Sequence, residues 1–205
     1  STSGTPSRML MVADAFERTD PMVGDALNAV IGSATSVLPA PEPVQIAGDD
    51  TLEIWWDAFR ILQAGQVAEA NLPWVEEHKP DLGPGIRERF AMAAAITSDE
   101  TAAAGEVRRR VLERVLGLAQ PGTILCLPTA PVIAPKTDAR PEDLEFFRSN
   151  AMALTCIAGH TGLPQITIPA ANVDNCPAGL SFIGWPGGDE ALLDLALALQ
   201  PFCVR

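Results

Sequence analysis

The chain has 205 residues and a formal net charge of −12, from 26 acidic and 14 basic side chains. With 47% hydrophobic and 20% charged residues, it is too apolar and too weakly charged to be a disordered protein. Such acidity repels nucleic-acid phosphates, and the sequence has no uninterrupted apolar run of about 18 residues, so we expect neither nucleic-acid nor membrane binding.

Apolar periodicity predicts alternating strands and helices, after a small polar stretch at residues 1–7 that is typical of a flexible linker or a trimmed loop. The predicted elements, in chain order, are a strand at 8–13, a helix opened by Asp20-Pro21, a strand at 44–47, a long helix capped by Asp50, helices at 86–96 and 98–118, a strand at 123–127, a helix at 143–154, strands at 165–169 and 179–184, and a helix at 189–199. Pro73 and Pro80 are expected to interrupt the chain after the long helix. Because several strands are apolar throughout, we predict one α/β unit at 8–205, with a mixed β-sheet sandwiched between helical layers.

Four cysteines, at positions 126, 156, 176 and 203, are far apart in the sequence and form no CxxC pair. Together with only two histidines, they offer no cluster with metal-ligand spacing. Cys126 and Cys156 stand in apolar runs, where a thiol acts as a small hydrophobic group. We therefore expect free thiols, no metal, no cofactor, and a reducing, cytoplasmic compartment.

The sequence contains no recognisable nucleophile set. No serine lies in Ser-x-x-Lys or Gly-x-Ser-x-Gly, and we interpret Ser181 as an exposed strand position. Lys79 and Lys136 adjoin prolines in loop-like sequence, where no apolar shell would favour a neutral amine. His160 lies in a predicted loop between two glycines. It either faces a ligand or, as we favour, has its ring nitrogens satisfied by backbone at a tight turn.

Three blocks in the second half of the chain together resemble the amidase-signature family of hydrolases. Gly122–Pro135 is similar to that family's strand followed by Pro-Thr-x-Pro, and Thr155–Pro169 is similar to its Thr-x-x-x-Asn-x-x-Gly-Leu-Pro segment. Pro177–Asp189 is similar to its Pro-x-Gly-Leu-Gln-Leu-Ile-Gly turn and strand. The helical sequence around Trp56 and the stretch 82–89 also resemble this family, so that the likeness covers nearly the whole chain.

The resemblance implies the C-terminal half of an enzyme about twice this length, which hydrolyses a carboxamide C–N bond to an acid and ammonia or an amine. In that family a serine, a second serine on a cis peptide and a lysine form the catalytic set, within a Gly/Ser-rich segment of the first half. Since this chain has no such segment, we expect no catalytic residue in it. The implied partners are an N-terminal half, covalent or as a separate chain, a small-molecule amide substrate, and a second copy in a homodimer of the whole enzyme.

What the resemblance leaves for this chain is a substrate-pocket wall, at strand and helix ends where α/β proteins place binding residues. The candidate binding residues are Thr129, Ala130, Pro131, Cys156, Ile157, Gly159, His160, Trp56 and Arg89. The simpler interpretations are core packing for Trp56 and a structural ion pair for Arg89. Gly159 stands where the family usually has Asn. Because the neighbouring residues are mainly apolar, we expect an uncharged aromatic or aliphatic acyl group.

Two other functions remain open at this point. The chain is either the amide-handling subunit of a transamidation complex, which would copurify with partners and consume glutamine, or a non-catalytic interaction module that kept the fold. A lysine followed by a Gly/Ser-rich run in the upstream coding sequence would favour the enzyme over the module.

Overall fold

In the computed structural model, which describes residues 4–83 and 85–203, a five-stranded mixed sheet forms the centre of the chain. The strands are β1 (Arg8–Val12), β2 (Pro41–Val44), β3 (Thr123–Pro128), β4 (Gln165–Val173) and β5 (Cys176–Ile183), in the spatial order β2-β1-β3-β5-β4. β1 runs parallel to β2 and β3, and β5 runs antiparallel to β3 and β4. The predicted mixed α/β sheet is confirmed.

Helices cover both faces of the sheet, as the apolar strands require. They are α1 (Ala13–Glu17), α2 (Pro21–Ser33), α3 (Leu52–His78), α4 (Ile86–Ala95), α5 (Ser98–Leu118), α6 (Pro141–Thr161) and α7 (Asp189–Leu199). α2 and α7 share one core with the sheet, and α1, α3, α5 and α6 share the other. Within residues 4–83 and 85–203, no helix combines the length and apolar character of a bilayer crossing.

β3 lies at the centre of the sheet and is buried at all six positions. Ile124 and Cys126 face the α2/α7 core, whereas Leu125 and Leu127 face the opposite core. This explains the continuous apolar run in the sequence, since alternate side chains of the strand enter different cores. Burial also raises the pKa of the Cys126 thiol, as expected of a cysteine that acts as a small hydrophobic group.

The predicted strand at 44–47 is wrong, because β2 is formed by Pro41–Val44 instead. Prolines are tolerated on this outermost strand, where one side needs no amide donor. Ile46 and Ala47 leave the sheet, and their backbone N–H groups donate to the Asp14 carboxylate at 3.1 and 2.9 Å. The first three residues of the predicted linker lie outside the described part of the chain, and Ser7 already donates its N–H to the Gly122 carbonyl at 2.8 Å.

Two predictions about α3 are also wrong. Thr51, not Asp50, is the N-cap, and its Oγ1 accepts from the Ile54 N–H at 3.4 Å. The Asp50 carboxylate instead pairs with Arg110 at 2.9 Å. Pro73 lies inside the helix rather than ending it, and both α4 and α5 pack against α3.

α6 is longer than the predicted 143–154 and runs to Thr161. Buried side chains continue at helical spacing through Ile157 and His160, so the apolar face supports two further turns. Gly162, at a φ of 69°, ends the helix in the left-handed conformation that glycine adopts without strain. His160 and Gly159 therefore lie on a helix and not in a loop.

β4 and β5 form a hairpin through Asp174 and Asn175, both in the left-handed region at φ values of 49° and 60°. Two successive positive φ angles are typical of the turns that match the twist of a hairpin. This turn, together with a register shift between Pro169 and Ala171, brings Thr167 opposite Ser181.

We predict that Asn175→Val destabilises the protein by about 1–2 kcal/mol, because a β-branched side chain clashes in the left-handed region. Asn172→Val is the matched control, since Asn172 is an exposed strand position where a branched residue fits. Urea unfolding of both variants measures the difference. Equal free energies of unfolding would contradict the role assigned to the turn.

Candidate functional site

Two backbone hydrogen bonds hold the turn that follows β3, at the carboxyl end of that strand. Thr129 donates its backbone N–H to the Gly179 carbonyl at 3.0 Å, which fixes the turn against β5. Pro131 is buried, and its carbonyl accepts from the Asp20 N–H at 2.7 Å, at the start of α2. The predicted candidates Thr129, Ala130 and Pro131 thus lie together at the carboxyl end of β3, where α/β folds place ligand sites.

A cluster of polar side chains, which we call the hydroxyl cluster, joins this turn to β4 and β5. It consists of Thr129, Gln165, Thr167 and Ser181. Ser181 Oγ lies 2.7 Å from Thr129 Oγ1 and 2.9 Å from Thr167 Oγ1, and it accepts from Gln165 Nε2 at 3.0 Å. Ser181 is fully buried, so its predicted exposure is wrong. The reason is that the side chains of its three partners surround the Ser181 hydroxyl.

The hydroxyl cluster holds the turn and the two strands together, and it lacks the features of an activated nucleophile. A hydroxyl has one donor and two acceptor sites, and the three partners of Ser181 use them all. None of those partners is a carboxylate, a lysine or a histidine that would act as a base. Gly179 makes room for the cluster, since a Cβ there would lie 2.8 Å from Thr129 Oγ1.

A second group of predicted residues meets where α3 crosses α6. The rings of Trp56 and Phe59 stack at a centroid distance of 6.3 Å, and Phe59 meets the His160 ring edge-on at 5.2 Å. The Phe59 ring occupies the space above Gly159, where a Cβ would lie 2.6 Å from it. Trp56, Gly159 and His160 are therefore brought together by Phe59. No sequence pattern indicated the contact between Phe59 and Gly159.

His160 connects α6 to both α3 and α5. Its ring is fully buried, and Nε2 lies 2.8 Å from the Trp55 carbonyl, to which it donates in the neutral form. Its own carbonyl accepts from Arg108 Nε at 3.1 Å. Burial lowers the pKa of His160 and the Arg108 charge lowers it further, while the bond to Trp55 opposes both. The favoured backbone-bonded interpretation holds for Nε2 only, because Nδ1 is buried with no partner among the described residues.

The remaining candidates lie away from both groups or point into the core. Cys156 and Ile157 occupy the buried side of α6, and burial raises the pKa of the Cys156 thiol to about 12. Arg89 is exposed on α4 and forms no ion pair within the described residues. A role for these three residues in a substrate pocket stays a prediction.

A family model described as Amidase matches residues 59–193, about two thirds of the chain, so the chain belongs to the amidase family. Among curated relatives, Amidase 1 of Arabidopsis thaliana is 31% identical over 145 residues, which is 71% of this chain and 34% of that protein. Outer envelope protein 64, chloroplastic, of the same plant is 28% identical over 71% of this chain and 25% of its own length. One of the subunits of glutamyl-tRNA(Gln) amidotransferase from Methanospirillum hungatei is 26% identical over 73% of this chain and 32% of its own length.

Solved structures show the same fold. A crystal structure of an amidase superposes with a TM-score of 0.81 at 20% identity, over 98% of this chain and 47% of that one. A bacterial aryl acylamidase of the amidase-signature family gives 0.75 at 17% identity, over 97% and 44%. The chain thus has the amidase-signature fold and spans just under half the length of these structures, and about a quarter to a third of the curated relatives above.

We predict that Gly159→Ala destabilises the protein by about 1–3 kcal/mol, because the added methyl displaces the Phe59 ring. Gly105→Ala is the matched control on α5, where a Cβ meets nothing within 4 Å. It should instead stabilise the helix by up to about 1 kcal/mol. In a Phe59→Ala background, Gly159→Ala should behave like the control. A Gly159→Ala cost that Phe59→Ala leaves unchanged would contradict the close contact.

We also predict a stability difference between histidine variants as the pH falls. Because the folded-state pKa of His160 lies below its unfolded value of about 6.5, the unfolded state binds the proton more readily. The contribution of His160 is therefore complete above that pH and is lost as the pH falls toward its folded-state pKa. Urea unfolding at pH 7 and pH 5 should show a shallower pH dependence for His160→Gln than for the wild type. Parallel curves for His160→Gln and the wild type would contradict this account.

Proposed function

We propose that this chain is the C-terminal half of an amidase, which hydrolyses a carboxamide C–N bond to an acid and ammonia or an amine. The chain supplies sheet core and one wall of the substrate pocket. The Ser-cisSer-Lys set comes from an N-terminal half, covalently attached or bound as a separate chain. Membership of the amidase family and coverage of less than half of each solved neighbour support this division of roles.

One observation carries the proposal. Among the described residues, the candidate nucleophiles and bases either have their hydrogen-bonding sites filled by neutral partners or lack a partner that would activate them. Ser181 is held by three neutral partners, and the buried thiol of Cys156 has a raised pKa. Lys79 and Lys136 are exposed and have no hydroxyl as a hydrogen-bond partner within the described residues. Acyl transfer needs a hydroxyl or thiol paired with a base. We therefore propose that the N-terminal half supplies that pair.

The proposed pocket wall is the turn at Thr129–Pro131. A cleft of about 490 Å³ begins directly after it. It is lined by apolar side chains that include Val132, Ile133 and Phe147, and by four charged residues between positions 136 and 143. Apolar surface with a few polar groups is typical of small-molecule sites. The apolar part of this lining supports an uncharged aryl or alkyl acyl group as the part of the substrate that contacts this chain.

In the proposed reaction, a serine of the N-terminal half attacks the amide carbonyl and expels the amine, which takes up a proton. Backbone N–H groups hold the tetrahedral intermediate, and water then hydrolyses the acyl-enzyme. This chain orients the acyl group and excludes water around it. Both effects lower the barrier by holding the reacting atoms in position.

Membership of a transamidation complex is the second candidate, favoured by the likeness to one component of glutamyl-tRNA(Gln) amidotransferase. In that case the protein would consume glutamine and copurify with partner subunits.

The cellular compartment and the oligomeric state of the whole enzyme are also proposals. The four cysteines of this chain are all free, which supports a reducing, cytoplasmic compartment. We further propose that the whole enzyme forms a homodimer, which its mass in solution by light scattering tests.

We predict that the full-length protein releases amine from a simple aryl or alkyl amide, whereas the 205-residue chain alone releases none. The reason is that the activated hydroxyl lies outside this chain. Amine release, followed by chromatography, measures both samples. Turnover by the purified chain alone would contradict the division of roles. Glutamine consumption without hydrolysis of the simple amide would favour the second candidate, and activity toward neither would favour an interaction module.

A further inference from the structure

The hydrogen bonds of the hydroxyl cluster are limited by the single proton of its central atom. Ser181 Oγ accepts from Gln165 Nε2 at 3.0 Å, which uses one of its two acceptor sites. One donor site and one acceptor site remain for the hydroxyls of Thr129 at 2.7 Å and Thr167 at 2.9 Å. Ser181 therefore donates to one of these threonines and accepts from the other.

Two orders of the protons satisfy this limit. In the first order Thr167 donates to Ser181 and Ser181 donates to Thr129, so the proton of Thr129 is free for another acceptor. In the second order both bonds are reversed, and Thr129 then presents only oxygen lone pairs. Thr167 is exposed, where water serves as its donor or its acceptor equally well. The first order therefore offers a donor at Thr129 and leaves no member of the cluster unsatisfied.

The hydroxyl of Thr129 is placed where a ligand would use this donor. Thr129 is half-buried, and its Oγ1 has no partner besides Ser181 in the described part of the chain. Its backbone N–H is bonded to the Gly179 carbonyl, which fixes the position of the residue. The cleft with its apolar lining begins shortly afterwards, at Val132. A small number of fixed polar groups beside apolar surface is what gives small-molecule sites their specificity.

We propose that Thr129 donates a hydrogen bond to a neutral acceptor oxygen on the acyl group of the substrate. Gln165 and Ser181 are the positioning residues, because their bonds hold the Thr129 hydroxyl in place and leave its proton free. The inference rests on the proposed function, since it takes the turn at Thr129–Pro131 as a wall of the substrate pocket. It narrows the substrate class from any uncharged acyl group to one with an ether or similar oxygen close to the amide carbonyl.

Gln165→Glu tests the proton order with an almost unchanged side-chain shape. The introduced carboxylate only accepts, so it takes the Ser181 proton, and both threonines must then donate to Ser181. Thr129 keeps no proton for the substrate. Gln165→Met is the matched control, because it removes the same hydrogen bond but competes for no proton, so the first order stays available. Thr129→Val removes the donor itself and gives the ratio that reflects the chemistry of the substrates alone.

The measurement is a ratio of kcat/KM values in the full-length protein, which a general loss of activity leaves unchanged. The substrates are the pentanoyl anilide and two anilides of similar shape, ethoxyacetyl and methoxypropanoyl, in which oxygen replaces the third or the fourth carbon of the acyl chain. Relative to Thr129→Val, we expect the wild type and Gln165→Met to prefer at least one ether by about three- to tenfold, as a neutral hydrogen bond allows. Gln165→Glu should lose that preference.

Equal ratios in the wild type and Thr129→Val would overturn the donor role of Thr129, and this comparison decides even if Gln165→Glu does not fold. A preference that Gln165→Glu keeps, or that Gln165→Met loses as completely, would overturn the positioning role of Gln165. Failure of the proposed function gives a different result, because the full-length protein then hydrolyses none of the three amides. The same ratios are in that case taken from the dissociation constants of the amides by calorimetry, and amides that do not bind overturn the inference as well.

Discussion

The burial of β3 on both faces is the constraint from which the rest of the structure follows. Its six residues, Thr123–Pro128, pair with β1 on one side and β5 on the other. Each large apolar side chain in such a strand contributes about 1.5–3 kcal/mol when removed from water. That gain requires a helical layer on each face, and it explains why α2 and α7 lie opposite α1, α3, α5 and α6. The strand ends at Pro128, so Thr129 emerges at the edge of a fixed framework.

Two polar contacts hold the surroundings of the proposed pocket to this framework. The hydroxyl cluster ties the Thr129 turn to β4 and β5, and the His160 ring ties α6 to the backbone of α3. The first contact uses a serine and the second a histidine, two residue types that hydrolases employ in catalysis. Here their partners are neutral hydroxyl, amide and carbonyl groups, so the contacts stabilise structure. This use of the polar residues supports the proposal that the acyl-transfer chemistry lies outside this chain.

The sequence allowed the family and a mixed sheet between helical layers to be predicted, because each rests on a pattern of several residues. The features that it did not reveal depend on contacts between distant segments. The end of α6 was missed because Gly159 was interpreted as a loop residue, although on a helix it admits the Phe59 ring. The predicted exposure of Ser181 was wrong because alternation along β5 does not show that side chains of β4 and of the Thr129 turn cover its hydroxyl. The predicted position of β2 was wrong because prolines suit only an edge strand, and the sequence does not show which strand is the edge.

The location of the nucleophile in the full-length protein tests the central claim most directly. A fluorophosphonate that labels active serine hydrolases, followed by peptide mapping, identifies the modified residue. Our account predicts one adduct, on a serine outside these 205 residues, with Ser181 unmodified. An adduct on Ser181, or on any other serine within the chain, would contradict it.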